Sequence, residues 1–106
     1  MKPFQTLLFY KYAHVANAEA YKDEHLTFCK SLDLVGRVLI GEEGINGTVS
    51  GTVESCSKYM NHLNNDARFS GIEFKIDEED APSFTKMHVR YKKEIVHFGQ
   101  PDVNVW

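Results

Sequence analysis

Gly36-Arg37-Val38-Leu39-Ile40-Gly41-Glu42-Glu43-Gly44-Ile45-Asn46-Gly47-Thr48-Val49-Ser50-Gly51 holds five of the seven glycines in this 106-residue chain. Glycine loses more backbone freedom on folding than any other residue, so such a cluster marks turns and close backbone approaches. Two short apolar runs, Val38-Leu39-Ile40 and Thr48-Val49, lie between the glycines, and Asn46-Gly47 is a strong tight-turn dipeptide. The stretch reads as a β-hairpin with an elaborated tip carrying Glu42 and Glu43, and with a returning strand over Gly47 to Gly51. Adjacent carboxylates on a strand point to opposite faces; only a turn brings them together.

Upstream of the hairpin, Gln5 to Tyr12 is rich in aromatic and apolar residues and reads as the first strand. Leu7 and Phe9 fall on one of its faces, Leu8, Tyr10 and Tyr12 on the other. A strand buried on one side alternates more cleanly, so the second face is expected to be covered or to serve as a contact surface. Asn17 is placed as an N-cap with Glu19 in the first turn. Ala18, Tyr21, His25, Phe28, Cys29 and Leu32 then recur at helical spacing, giving a helix over 17–32 that Asp33 closes.

Downstream, Thr52 is positioned to cap a second helix with the stripe Val53, Cys56, Tyr59, Met60 and Leu63, ended by Asn64-Asn65-Asp66. Ile72 to Asp77 alternates strictly and reads as a half-buried strand. An acidic loop follows, and Lys86 to Phe98 is the last extended segment. The order β-α-β-β-α-β with one additional C-terminal strand predicts an α+β, ferredoxin-like sandwich. Residues 1–99 are expected to form this domain and 100–106 the start of a linker.

Bulk properties narrow the function classes. The length suits one domain, and 42% hydrophobic with 25% charged residues is a globular balance. A net charge of −3 argues against a protein that coats nucleic acid, but it permits a local basic face. Neither a signal-peptide pattern nor an apolar run of membrane-spanning length is present in the sequence, which reads as cytoplasmic with no membrane partner.

Sites of chemistry are sparse. Cys29 and Cys56 fall on helix stripes and read as buried thiols. The five histidines lack the i, i+4 pairing of a helical metal site, so no metal is expected. No nucleophile motif surrounds either cysteine, and no catalytic residue or cofactor is expected. Gly41-Glu42-Glu43-Gly44 is no P-loop, and its charges oppose an anion. The last strand is richer: Lys86, His88, Arg90 and Lys92 project from one face about 7 Å apart, twice the strand rise. Such a row can track a phosphate backbone, with Lys93 and Lys11 nearby. A solvated edge strand is also often Lys-rich, and the acidic run Asp77 to Asp80 is a candidate to neutralise the row within the fold. An RNA-recognition motif needs stacking aromatics on its third strand, whereas Gly47 to Gly51 has none. The loop after strand one also lacks the glycines and arginine of an acylphosphatase.

The Glu42-Glu43-Gly44-Ile45-Asn46-Gly47-Thr48 core, with Phe84-Thr85-Lys86-Met87-His88-Val89-Arg90, then Lys92-Lys93-Glu94-Ile95-Val96, and Lys11-Tyr12 ending strand one, carries a family resemblance. The chain resembles the N-terminal acylphosphatase-like domain of the bacterial rhodanese-related tRNA uridine hydroxylases. That resemblance implies a partner rhodanese domain bearing the active-site cysteine, and oxygen-dependent formation of 5-hydroxyuridine at wobble position 34 of tRNA. Neither cysteine here matches such a loop, so the chain alone is expected to be non-catalytic. Two roles follow as expectations. Arg37, Lys86, His88, Arg90 and Lys92 are candidates to hold tRNA. Alternatively, the domain is a packing module whose strand-one face and Glu42, Glu43, Ile45 and Asn46 contact the rhodanese domain.

Overall fold

A computed structural model describes residues 2–82 and 84–92. Seven elements follow in order: β1 (Phe4–Tyr12), α1 (Ala18–Ser31), β2 (Val35–Gly41), β3 (Gly44–Thr52), α2 (Val53–Asn64), β4 (Phe74–Glu79) and β5 (Met87–Tyr91). The five strands form one sheet in the order β4-β1-β3-β2-β5. The first four pair antiparallel and β5 runs parallel to β2. This is the expected ferredoxin-like sandwich with an added strand. The expected continuation of the last strand toward Phe98, and the expected linker over 100–106, lie outside the described residues.

Both helices pack on one face of the sheet. Leu7, Phe9, Val38, Ile40, Ile45 and Val49 from the strands meet Tyr21, His25, Cys29, Cys56, Tyr59 and Leu63 from the helices, and all are buried. The helices follow the apolar stripes of the sequence, but their caps differ in kind. Thr52 accepts a hydrogen bond from the Ser55 amide at 3.1 Å, as an N-cap should. Asn17 sits at φ 54°, ψ 46° and makes no side-chain cap. A capping side chain needs an extended backbone; Asn17 instead supplies the left-handed turn that asparagine tolerates. Asp33, at φ 57°, closes α1. The Leu34 amide bonds Cys29 O at 3.0 Å and the Asp33 amide bonds Lys30 O at 3.1 Å, a Schellman pattern with aspartate in the glycine position.

The hairpin reverses at the expected Glu42-Glu43 tip, but the turn is tighter than the Asn46-Gly47 signal suggested. Gly41 pairs with Gly44, so Glu42 and Glu43 form the turn and Asn46-Gly47 lies inside β3. Neither glutamate has positive φ; Gly44 absorbs the reversal at φ 150°. Gly47 is needed for packing, since a Cβ there would meet Phe9 Cζ at 2.9 Å and Val38 Cγ2 at 3.0 Å. A turn dipeptide and a glycine under a phenyl ring look alike in sequence. The fourth strand is also displaced. Gly71 at φ 85° and the Ile72 amide bond to Phe69 O hold Ile72 outside the ladder, which begins at Phe74.

Candidate nucleic-acid interface

Strand alternation decides what the helix-free face of the sheet displays, because residues directly opposite across a ladder share a face. Arg37 pairs with His88 and Leu39 with Arg90 across β2 and β5. Lys92 follows in the same alternation and its amide bonds Ile40 O at 2.9 Å. Arg37, Leu39, His88, Arg90 and Lys92 together line a depression of about 310 Å³. Four of the five candidate RNA-binding residues are therefore neighbours. Lys86 is exposed just before β5, where its carbonyl accepts from the Gly36 amide at 2.8 Å, at the far end of the row. Lys11 is opposite Ile45, on the helix-facing side of the sheet, and stands apart from the row. Lys93 lies outside the described residues.

The acidic run does not neutralise this row. Asp77 and Glu79 belong to β4, the opposite edge of the sheet from β5. Four strand spacings separate those edges, about 19 Å, against a screening length of about 8 Å at physiological salt. Glu79 instead accepts from the Thr6 hydroxyl at 2.9 Å, and Asp80 pairs loosely with Lys2 at 3.9 Å. No ion pair among the described residues uses Arg37, His88, Arg90 or Lys92. The helix-free face thus runs from an acidic edge to a basic one.

The hairpin tip is built differently from a loose charged turn. The Ala13 and Val15 amides donate to the Glu43 and Glu42 carbonyls, each at 3.0 Å, which stitches the tip to the segment after β1. The Tyr91 hydroxyl donates to Glu42 Oε2 at 2.9 Å, and that bond raises the tyrosine pKa above its ordinary value. Of the four residues expected to contact another domain, Glu42 and Glu43 are exposed, while Ile45 is 0% and Asn46 6% exposed. Ile45 belongs to this domain's own core. Asn46 shares a face with Tyr10 and Leu39, forming part of the floor between them.

An aromatic stripe shares the face with the basic row. Tyr10 and Tyr12, on β1, are 56% and 52% exposed, and Leu8 beside them is 43% exposed. Their rings meet edge to face with centroids 6.4 Å apart. A search for stacking residues on the third strand alone overlooks them. The alternation of strand one had already separated them from Leu7 and Phe9, and the topology now shows that β1 adjoins β3.

The buried titratable groups serve the core. Cys29 and Cys56 are buried, and burial pushes their thiols up to about 12 and about 11. Such thiols are poor nucleophiles. His25 Nε2 lies 2.8 Å from the Tyr59 hydroxyl, and burial, with smaller contributions from His62 and Arg68, lowers its pKa to about 3. It is a neutral packing residue. Asp66 receives the Arg68 Nε and backbone amide, both at 2.9 Å, and this guanidinium lies 4.3 Å from the Tyr21 ring centroid. Among the described residues no helix is long and apolar enough to cross a membrane.

Residues 4–95 match the UPF0176 acylphosphatase-like domain. The chain is 57% identical over 100 residues to the tRNA uridine(34) hydroxylase of Streptococcus agalactiae serotype III (strain NEM316), and 56% identical to that of Streptococcus pyogenes serotype M1. Each alignment covers 94% of this chain but only 30% of the relative's length. Among solved structures, the BlrP1 BLUF domain superposes with a TM-score of 0.70 at 15% identity, covering 88% of this chain and 66% of that one. Full-length HypF gives 0.53 at 11% identity, over 84% of this chain and 12% of that one. At such identities the likeness concerns the fold. The family match and the relatives of tRNA uridine(34) hydroxylase agree with the hairpin and last-strand signatures, and the chain belongs to the UPF0176 acylphosphatase-like domain family.

Proposed function

We propose that this domain is the tRNA-holding part of a cytoplasmic tRNA uridine(34) hydroxylase whose chemistry resides in a rhodanese domain elsewhere in the protein. The observation that carries the reading is the basic row: Arg37, His88, Arg90 and Lys92 gathered on one sheet face with no ion pair among the described residues. Arg37, Arg90 and Lys92 give this face a local positive potential that attracts a polyanion such as a phosphate backbone. The inert thiols favour catalysis elsewhere, and relatives more than three times as long leave room for a second domain.

The test is the affinity of the chain for unmodified tRNA across a salt series, with Arg37→Glu, Arg90→Glu and Lys92→Glu combined. Each lost phosphate contact removes about 0.7–0.9 from the slope of log K against log salt. The triple variant should therefore bind at least about tenfold more weakly at 0.1 M salt, with a slope shallower by about 2–3. Equal affinity and slope would sink the proposal.

The exposed Leu8, Tyr10 and Tyr12 favour a second reading, in which this face packs on the rhodanese domain and touches no RNA. In that case a rhodanese domain added in trans shifts the amide signals of β1 and of Glu42, while tRNA shifts none.

A further inference from the structure

We propose that Tyr10 and Tyr12 form a base-stacking platform, so that the helix-free face takes unpaired nucleotides of RNA rather than a duplex. The inference rests on the tRNA-holding reading and specifies the form of RNA that fits.

The register lays out the parts in rows. Tyr10 pairs with Asn46, Asn46 with Leu39, and Leu39 with Arg90, so one row crosses four strands from an aromatic ring to a guanidinium. The ends stand three strand spacings apart, about 14 Å. In the next row Tyr12 pairs with Gly44 and Gly44 with Gly41, two residues without side chains, and Lys92 lies beyond them at the end of β5. The floor between the aromatic stripe and the basic row is therefore low, bounded by rings on one side and cations on the other.

Two further features fit unpaired bases. Tyr10 and Tyr12 border a depression of about 340 Å³, on the side away from the basic row, that Lys11, Gly71, Ile72 and Glu73 complete. Asn46 is only 6% exposed and lies in the floor of the face, between Tyr10 and Leu39. An amide can both donate to and accept from a base edge. Duplex RNA hides its bases and presents phosphates, which the cations alone would satisfy. Exposed aromatics beside a cation row are the arrangement that recognises single strands, through stacking on one side and charge on the other.

The experiment uses the purified chain and a labelled 12-nucleotide unstructured RNA, compared with the same sequence as a duplex, by fluorescence anisotropy. Tyr10→Ala and Tyr12→Ala should each weaken single-strand binding about tenfold, the scale of one stacked base. Tyr10→Phe and Tyr12→Phe should retain it, and duplex binding should change little with any of the four. Circular dichroism of each variant confirms the fold, since both rings are exposed. If the alanine variants bind the single strand as well as the parent while Arg37→Glu/Arg90→Glu does not, the platform is wrong and the tRNA-holding reading survives. If the arginine variants also bind normally, both fail. If the alanine variants keep RNA binding but lose association with an added rhodanese domain, the stripe is a protein-docking surface and the platform is overturned.

Discussion

The Tyr91 hydroxyl reaches across from the last described strand to Glu42, 2.9 Å away in the two-residue turn between β2 and β3. This bond ties the hairpin tip to β5, which carries His88 and Arg90 of the basic row. Removing it by Tyr91→Phe should leave the fold intact and loosen the tip. The measurement is amide hydrogen exchange: Ala13 and Val15, whose amides bond the Glu43 and Glu42 carbonyls, should exchange faster in the variant, while the centre of β1 is unchanged.

Gly36→Ala tests the close approach that the glycine-rich hairpin requires. Gly36 has φ 139°, and an added Cβ would lie 2.1 Å from the Thr48 backbone carbonyl oxygen, which no rotamer change can relieve. The substitution should cost upward of about 2 kcal/mol in urea unfolding. Gly71→Ala is the control. Gly71 has φ 85° but nothing within 4 Å of the added carbon, so only conformational strain remains, about 1 kcal/mol. Equal losses at the two sites would contradict the steric account.

Buried His25 gives the chain an acid-sensitive core. Its folded pKa is lowered to about 3 from 6.5, chiefly by burial, so the unfolded chain takes up the proton first. The stabilisation is complete above about pH 6.5 and is lost as pH falls from there toward 3. Between pH 7 and pH 5 this one group should remove about 2 kcal/mol. His25→Gln lacks the titration and keeps an amide to meet Tyr59, so its stability should be flatter over that interval. Urea midpoints at pH 5, 6 and 7 for the two proteins decide the matter.

The thiols offer a simple check on where chemistry can reside. Burial holds Cys29 up to about 12 and Cys56 up to about 11, so the folded chain at pH 8 should react with a thiol-specific disulfide reagent only on the timescale of unfolding. Both cysteines should react at once in concentrated urea. Fast labelling of the native chain would revive a reactive-cysteine role.

Much of the fold was legible because the apolar spacing was strong. The stripe Cys56, Tyr59 and Leu63 located α2, and the segregation of Leu7 and Phe9 from Leu8, Tyr10 and Tyr12 described β1 as it stands. Local turn chemistry misled at Asn46-Gly47, because Gly47 makes room for Phe9, a demand from a strand 38 positions away in sequence that no local pattern records. The basic row was visible from the alternation of β5, but its neighbour Arg37 and its distance from the acidic run depend on strand order. The separation of β4 from β5 by three intervening strands is a tertiary fact. For the same reason the aromatic stripe was seen as a set of residues before it was seen as part of a site.

The central claim is that nucleic acid lies on the helix-free face between β1 and β5. Titration of the ¹⁵N-labelled chain with unmodified tRNA, followed by amide chemical shifts, tests it most directly. The account predicts changes at Tyr10, Arg37, Leu39, Asn46, His88 and Arg90, with α1 and α2 unmoved. Shifts confined to the helices, or none at tRNA concentrations well above the protein's, would contradict it.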